Sequence, residues 1–399
     1  MRNNSIVFKI GLAIFIACVS RVCVASPRCE GKLPWAEIIG QQEETLTLLR
    51  SKRFEDLERR MSGFLASYSD GKLTDEELFF EFGAFDRWSP ALTPLFEEWL
   101  RRFPRSFSAT HGTALHESSM AWLARGDKAS SQTSDEQFKQ FETGLKRSRD
   151  LDAAALKLHD KPILALQLLV SNSKALKFEQ SGAKGRFDWT YLKGRPTNTD
   201  PRPDVVPLLD VSYKIQSDNI IVRQSYVSIL APRWGGSLSA LKNLLKPSFL
   251  KNLPKDRIKA VSFTVFSEIA TQKWIDGNLD EAVNFYEQAG EMCRLDDPFI
   301  AISNIRRGQQ KYKEALSAAD RAIEISPSGP AAMRAQAYAL NGVGRHEEAV
   351  TLRRASSYLS PQSCSQWLMI RCTRSRCDDR LALGIERDGR DGRPVARAA

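Results

Sequence analysis

Residues 279–289, LDEAVNFYEQA, recur as 312–322, YKEALSAADRA, and again as 346–356, HEEAVTLRRAS. Ala282, Ala315 and Ala349 occupy the same place in each copy. Pro327 in EISPSG recurs as Pro361 in YLSPQS. Self-similarity at a spacing of this size is the mark of stacked helix pairs, in which no unit can bury its apolar face alone. The small residues let the two helices of a unit approach closely. Gly277 and Gly344 fall where the chain must turn with positive φ, and Pro327 and Pro361 fall where a helix must stop.

Three units are implied by this spacing. The second, about 296–329, carries Phe299, Ile302, Ser303, Ala315, Ala319, Ala322 and Pro327. The third, about 330–363, carries Met333, Ala337, Leu340, Ala349, Ser356 and Pro361. The first, about 263–296, carries Phe266, Ile269, Ala270, Gly277, Ala282, Tyr286 and Ala289, with Arg294 in place of the closing proline. This pattern resembles the tetratricopeptide repeat. Lys273 and Arg306 stand where that repeat commonly has an aromatic, and Arg353 where it has a bulky apolar residue. The resemblance implies an all-α, helical-hairpin solenoid whose first helices line a concave groove. Carried over, its groove positions are Thr271 and Trp274, Asn304 and Arg307, and Arg334, Tyr338 and Asn341. Asn and Arg in a groove suit the backbone and carboxylates of an extended peptide. The implied partner is therefore a protein or peptide.

Ahead of the repeats the chain still reads as helical, though less regularly. Trp35 to Leu65 reads as two helices joined near Ser51-Lys52-Arg53. Thr74 with Glu77 three residues on is a capping box. Helices are predicted to end at Pro104 and Gly126, with a loop at 127–135. Residues 179–207, with three glycines and four prolines, read as a linker. Arg233-Trp234-Gly235-Gly236-Ser237 then gives a tight turn before a helix that Ser237 can cap. Residues 35–250, through this R-W-G-G-S stretch and FPRSFSATHGTALHESSMAWLARG, resemble an uncharacterised bacterial family known as domain of unknown function 4034, which brings no activity with it. Arg233 and Trp234 form a secondary candidate platform for a ligand, by charge and stacking. The structural reading, a packed turn, is the favoured one.

The expected organisation is a signal peptide at 1–25, an irregular helical domain at 26–178, the linker at 179–207, and a helical region with a degenerate repeat at 208–262. Three repeats at 263–363, a capping helix at 364–377 and a disordered tail at 378–399 complete it. MRNNSIVFK before the apolar IGLAIFIACV, with Cys23-Val24-Ala25 before Ser26, reads as an export signal cleaved after Ala25. A lipid anchor at Cys18 or an uncleaved signal anchor are the rival readings. The expected location is the periplasm or the exterior, with no membrane-spanning segment in the mature chain. Of seven cysteines, Cys372 with Cys364 or Cys377 is one disulfide option, and idle thiols the other.

The net charge is +10 on 399 residues, too dilute to indicate a nucleic-acid partner without an aromatic-interleaved basic motif. His111 and His116, five apart, sit about 140° apart on a helix and cannot share a metal. His346 is assigned to packing near the turn of the third repeat. Glu97-Glu98 before Arg101-Arg102 reads as a salt-bridged helix face. No phosphate loop, G-x-S-x-G or dinucleotide fingerprint occurs. The sequence points to a non-enzymatic binding scaffold without metal or cofactor, or, as the rival class, an assembly subunit that self-associates.

Overall fold

The structure is a computed structural model that describes residues 29, 35–126, 132–179 and 205–358. Among these, seventeen α-helices and no strand are found. In chain order they are α1 (Trp35–Arg50), α2 (Phe54–Ser69), α3 (Asp75–Phe82), α4 (Thr93–Arg102), α5 (Phe107–Arg125), α6 (Asp135–Ala155), α7 (Ile163–Glu179), α8 (Val206–Ile215) and α9 (Ile221–Ile229). Then come α10 (Leu238–Asn243), α11 (Pro247–Leu250), α12 (Lys255–Ile275), α13 (Leu279–Met292), α14 (Asp297–Gly308), α15 (Tyr312–Ile325), α16 (Pro330–Gly342) and α17 (His346–Tyr358). The predicted export signal, the capping helix at 364–377, the tail and the late cysteines lie outside the described residues.

The three repeats are the hairpins α12–α13, α14–α15 and α16–α17. Each turns in the same way. Gly277, Gln310 and Gly344 take φ of 82°, 62° and 85°. The next residue donates back to the carbonyl five before it: Asn278 N to Lys273 O, Lys311 N to Arg306 O, Arg345 N to Leu340 O, at 2.9, 2.9 and 3.0 Å. This is the left-handed helix terminus that satisfies orphan carbonyls. The same turn appears near the start of the chain. Lys52 takes φ 56° and Arg53 N donates to Leu48 O at 2.9 Å, so the α1–α2 turn has the same geometry. No glycine marks Lys52 or Gln310. Each accepts the left-handed conformation at about 1–2 kcal/mol.

Two boundaries move from their expected places. Helix α8 begins at Val206, inside the expected 179–207 linker, because Pro207 sits in its first turn, where a missing N–H costs nothing. Helix α12 begins at Lys255, eight residues before the expected repeat start, because nothing breaks the chain between Pro254 and Asp276. Its front end is therefore part of the earlier body. One hydrophobic core runs from Leu46, Phe54 and Leu78 through Ile163, Ile221 and Leu241 to Ile269, Ala289 and Cys293. The apolar interior thus crosses from the front helices into the first repeat without a break. A second cluster, Ala270, Trp274, Tyr286, Phe299, Ile302, Ile305 and Ile325, joins the first two repeats.

Polar keystones bind this body together. Thr74 caps α3 with Glu77 in a reciprocal box, and Ser134 with Gln137 does the same for α6. Asp75, fully buried, accepts from Ile220 N and Ile221 N at the start of α9, at 2.6 and 3.2 Å, and from Arg257 of α12 at 2.7 Å. Glu98 is paired with Lys52 and with Arg102, as expected of that helix face. Cys29 is joined to Cys293 at the end of α13, and Arg294 N donates to Cys29 O at 3.1 Å. No local signal in the sequence marks this pairing, because 264 residues separate the partners.

Candidate functional site

Equivalent positions along the repeats show where the predicted groove residues go. Thr271 is buried. Its hydroxyl donates to Ser267 O at 2.8 Å and shares a hydrogen bond with Tyr286 Oη at 2.9 Å. Trp274 is 7% exposed and packs in the cluster of Phe299, Ile302 and Ile305. The first repeat's pair therefore lies in the interior instead of lining a groove. Thr271 is turned into its own hairpin against Tyr286, and Trp274 packs with apolar side chains of α14.

The same face in the later repeats carries polar residues and is only half buried. Arg307 donates from Nη2 to Asn304 Oδ1 at 3.3 Å, and its guanidinium carbon lies 4.9 Å from the centroid of Tyr338. Arg353 of α17 lies 5.1 Å from the same ring. Tyr338 is thus flanked by guanidiniums from α14 and α17, an arrangement in which the ring's negative face is matched by positive charge. Arg334 is half-buried on α16. Asn341 Oδ1 accepts from His346 Nδ1 at 2.7 Å and so braces the α16–α17 turn. His346 itself is exposed, so packing does not account for it; no further hairpin is described beyond α17 to cover that position. The structure brings together Asn304, Arg307 and Tyr338, adds Arg353, and removes Thr271 and Trp274. Arg353 was visible in the sequence only as a departure from an apolar position.

The other departures form a ladder. Lys273 Nζ meets Glu281 at 2.6 Å, and Arg306 Nε meets Glu314 at 3.0 Å, one repeat later. In the third repeat Leu340 stands in the cation's place and Glu348 pairs with Arg345 instead. A groove of about 570 Å³ lies there, lined by Asp320, Gln336, Leu340, Glu347, Glu348 and Leu352 among others.

Arg233 and Trp234 are engaged in contacts between helices. Arg233, whose side chain is 9% exposed, pairs with Glu268 of α12, which is 1% exposed. The Trp234 ring meets Trp122 of α5 edge-on at 6.2 Å, and Lys174 Nζ of α7 lies 5.4 Å from its centroid. Ser237 caps α10, accepting from Ala240 N at 3.0 Å. The turn therefore locks α5, α7 and α12 together. Glu268, Trp122 and Lys174 carry no motif by which sequence could have found them.

The two histidines of α5 point into separate environments, as their spacing requires. His111 Nδ1 meets Asp152 Oδ1 of α6 at 2.7 Å with both side chains buried. Burial pushes the Asp152 carboxyl up to about 6, against the opposing pull of His111. His116 stacks on Phe96 at 4.4 Å and bonds Thr93 Oγ1 at 2.9 Å. Burial lowers its pKa to about 4 from 6.5, with Asp86 opposing. His116 is thus held neutral, and its unfolded counterpart takes up a proton first as pH falls. Its contribution is intact above pH 6.5 and is lost as pH drops toward 4. Between pH 7 and 4 the wild type should lose about 3 kcal/mol of stability relative to His116→Gln, at about 1.36 kcal/mol per pKa unit. Urea unfolding of both proteins at the two pH values checks this, and parallel losses would refute it.

Among the described residues no cluster of His, Cys, Asp and Glu could hold a metal ion, and no helix is long and apolar enough to cross a membrane. No protein-family model matches the chain, so the likeness of residues 35–250 to the uncharacterised family gains no support. No curated protein matches it either. Among solved structures, yeast Tom70 is similar at 14% identity over 79% of this chain and 58% of that one, with a TM-score of 0.37. The TPR domain of P58(IPK) is similar at 14% identity over 88% of this chain and 100% of that one, with a TM-score of 0.27. The chain thus spans less than two thirds of the Tom70 chain.

Proposed function

We propose that this chain is an exported scaffold that binds a protein or an extended peptide in the cell envelope through its later repeats, with no chemistry of its own. The observation that carries the reading is the cluster around Tyr338, where Arg307, bonded to Asn304, and Arg353 converge from two helices onto one half-buried ring on a third. Planar guanidiniums held in place by an aromatic face are suited to carboxylates and backbone carbonyls of a partner. Export after Ala25 is supported by the Cys29–Cys293 pairing, which belongs to an oxidising compartment and begins four residues beyond the expected cut.

An Arg307→Ala/Arg334→Ala/Tyr338→Ala variant tests this against envelope extract. The variant should keep its helical circular dichroism and lose a captured partner by about tenfold or more. Retention at the wild-type level would place the binding surface elsewhere in the chain.

The assembly reading has its own observation. Val350 is the one large hydrophobic residue among those described that is exposed, at 47%, whereas its equivalent Val283 is 8% exposed under the next repeat. Sedimentation that rises in mass with concentration in the wild type, and not in Val350→Glu, would favour assembly through the end of the stack.

A further inference from the structure

From Asn219 to Lys255 the sequence contains no Asp or Glu, yet it carries six cations. The structure divides them sharply. Arg233 pairs through Nη2 with Glu268 and its side chain is 9% exposed. Arg223 is buried beneath α11, donating to Phe249 O at 2.9 Å and Ser217 O at 2.8 Å and lying 4.1 Å from the Tyr213 ring centroid. The remaining four, Lys242, Lys246, Lys251 and Lys255, are all exposed and make an ion pair with no described residue. They are spaced along α10, α11 and the first turn of α12, where exposed Asp256 follows Lys255. Elsewhere on this surface lysines commonly have carboxylates: Lys52 with Glu98, Lys72 with Asp70, Lys146 with Glu142.

The row is presented on a fixed base. Phe249 stacks on Tyr226 at 6.1 Å while Arg223 holds its carbonyl from below, and Leu253 is buried. Half-exposed Leu245 and Leu250 lie between the lysines. Four exposed lysines against one carboxylate, Asp256, in residues 219–256 leave an excess of like charge, which is tolerated most readily where an opposite charge is met.

We propose that this ridge docks the protein onto an anionic lipid bilayer. The chemistry of the row favours a membrane over nucleic acid. Its exposed cations are all lysines, point charges without the planar fork that grips phosphates and base edges in pairs. Its one aromatic, Phe249, is committed to packing and offers no stacking platform. A flat anionic surface needs only the field of several ammonium groups. Each lysine near such a surface is worth about fivefold in partitioning.

Flotation of the full chain with vesicles of phosphatidylcholine alone, or with one quarter phosphatidylglycerol, tests the proposal. Binding is expected only to the anionic vesicles, weakening as salt is raised. Lys246→Glu/Lys251→Glu/Lys255→Glu should reduce it by about a hundredfold or more. Arg101→Glu/Lys139→Glu/Lys313→Glu, with the same change in net charge on other exposed positions, should leave most of it intact. Absence of binding to anionic vesicles, equal loss in the two variants, or tighter binding to a DNA or RNA duplex than to the vesicles would each overturn it. Because none of these residues belongs to the Tyr338 cluster, the outcome is independent of the peptide-binding reading.

Discussion

Asp75→Ala is expected to remove about 3–5 kcal/mol of stability, the cost of leaving a buried charge without its partner. Asp75 is completely buried and serves three elements at once. It begins α3, accepts from the N–H groups of Ile220 and Ile221 at the start of α9, and neutralises Arg257 on α12. With the carboxylate gone, the Arg257 side chain, 10% exposed, retains only Glu76 at 3.7 Å. The two α9 amides lose an acceptor where water does not reach. Asp75→Asn keeps one acceptor and should cost visibly less. Asp56→Ala, which removes an exposed carboxylate paired to Arg53 and Arg59, should do almost nothing. Urea unfolding of the three variants orders them. A loss under about 1 kcal/mol for Asp75→Ala would mean that α3, α9 and α12 are held by apolar packing alone.

That contact also separates what the sequence discloses from what it hides. The hairpins of the repeats are legible because local signals recur in them: a small residue at each helix crossing, glycine at the first and third turns, and proline at 327 and 361. The α1–α2 joint is legible as a break between two helices but not as this kind of turn, because Lys52 takes the left-handed conformation without a glycine to mark it. Gln310 hides the middle turn for the same reason. The long-range ties are not legible at all. Asp75 and Arg257 are 182 residues apart, and Cys29 and Cys293 are 264 apart. Neither residue of such a pair carries a local pattern. At the assigned groove positions burial differs from repeat to repeat. Thr271 and Trp274 are buried against Tyr286 and the Phe299, Ile302 and Ile305 cluster, while Asn304, Arg307 and Tyr338 at the same register are half-buried. Which equivalent positions stay accessible depends on the neighbour packed over them, and repeat spacing does not encode that.

Gly236→Ala tests the structural reading of Arg233-Trp234-Gly235-Gly236-Ser237 most directly. A methyl added at Gly236 would sit 1.9 Å from Leu230 O and 2.3 Å from its carbonyl carbon, against main chain that no rotamer change can clear. Leu230 is buried, and its carbonyl already accepts from Ser237 N at 3.1 Å, so the backbone on both sides is fixed. A loss of about 3 kcal/mol or more is expected, the upper range for overpacking. Gly235→Ala is the internal control. Gly235 takes φ of 83° but has open space around the added methyl, so only the left-handed penalty of about 1–2 kcal/mol applies. The order of the two neighbours separates a packed joint from a ligand platform. A joint makes Gly236 the costlier site and carries the damage to the Arg233–Glu268 pair and to the Trp122–Trp234 contact, visible as lost near-ultraviolet circular dichroism. Equal, small losses at both glycines, with the tryptophan signal kept, would release Arg233 and Trp234 from their structural role and return them to candidacy as a binding surface.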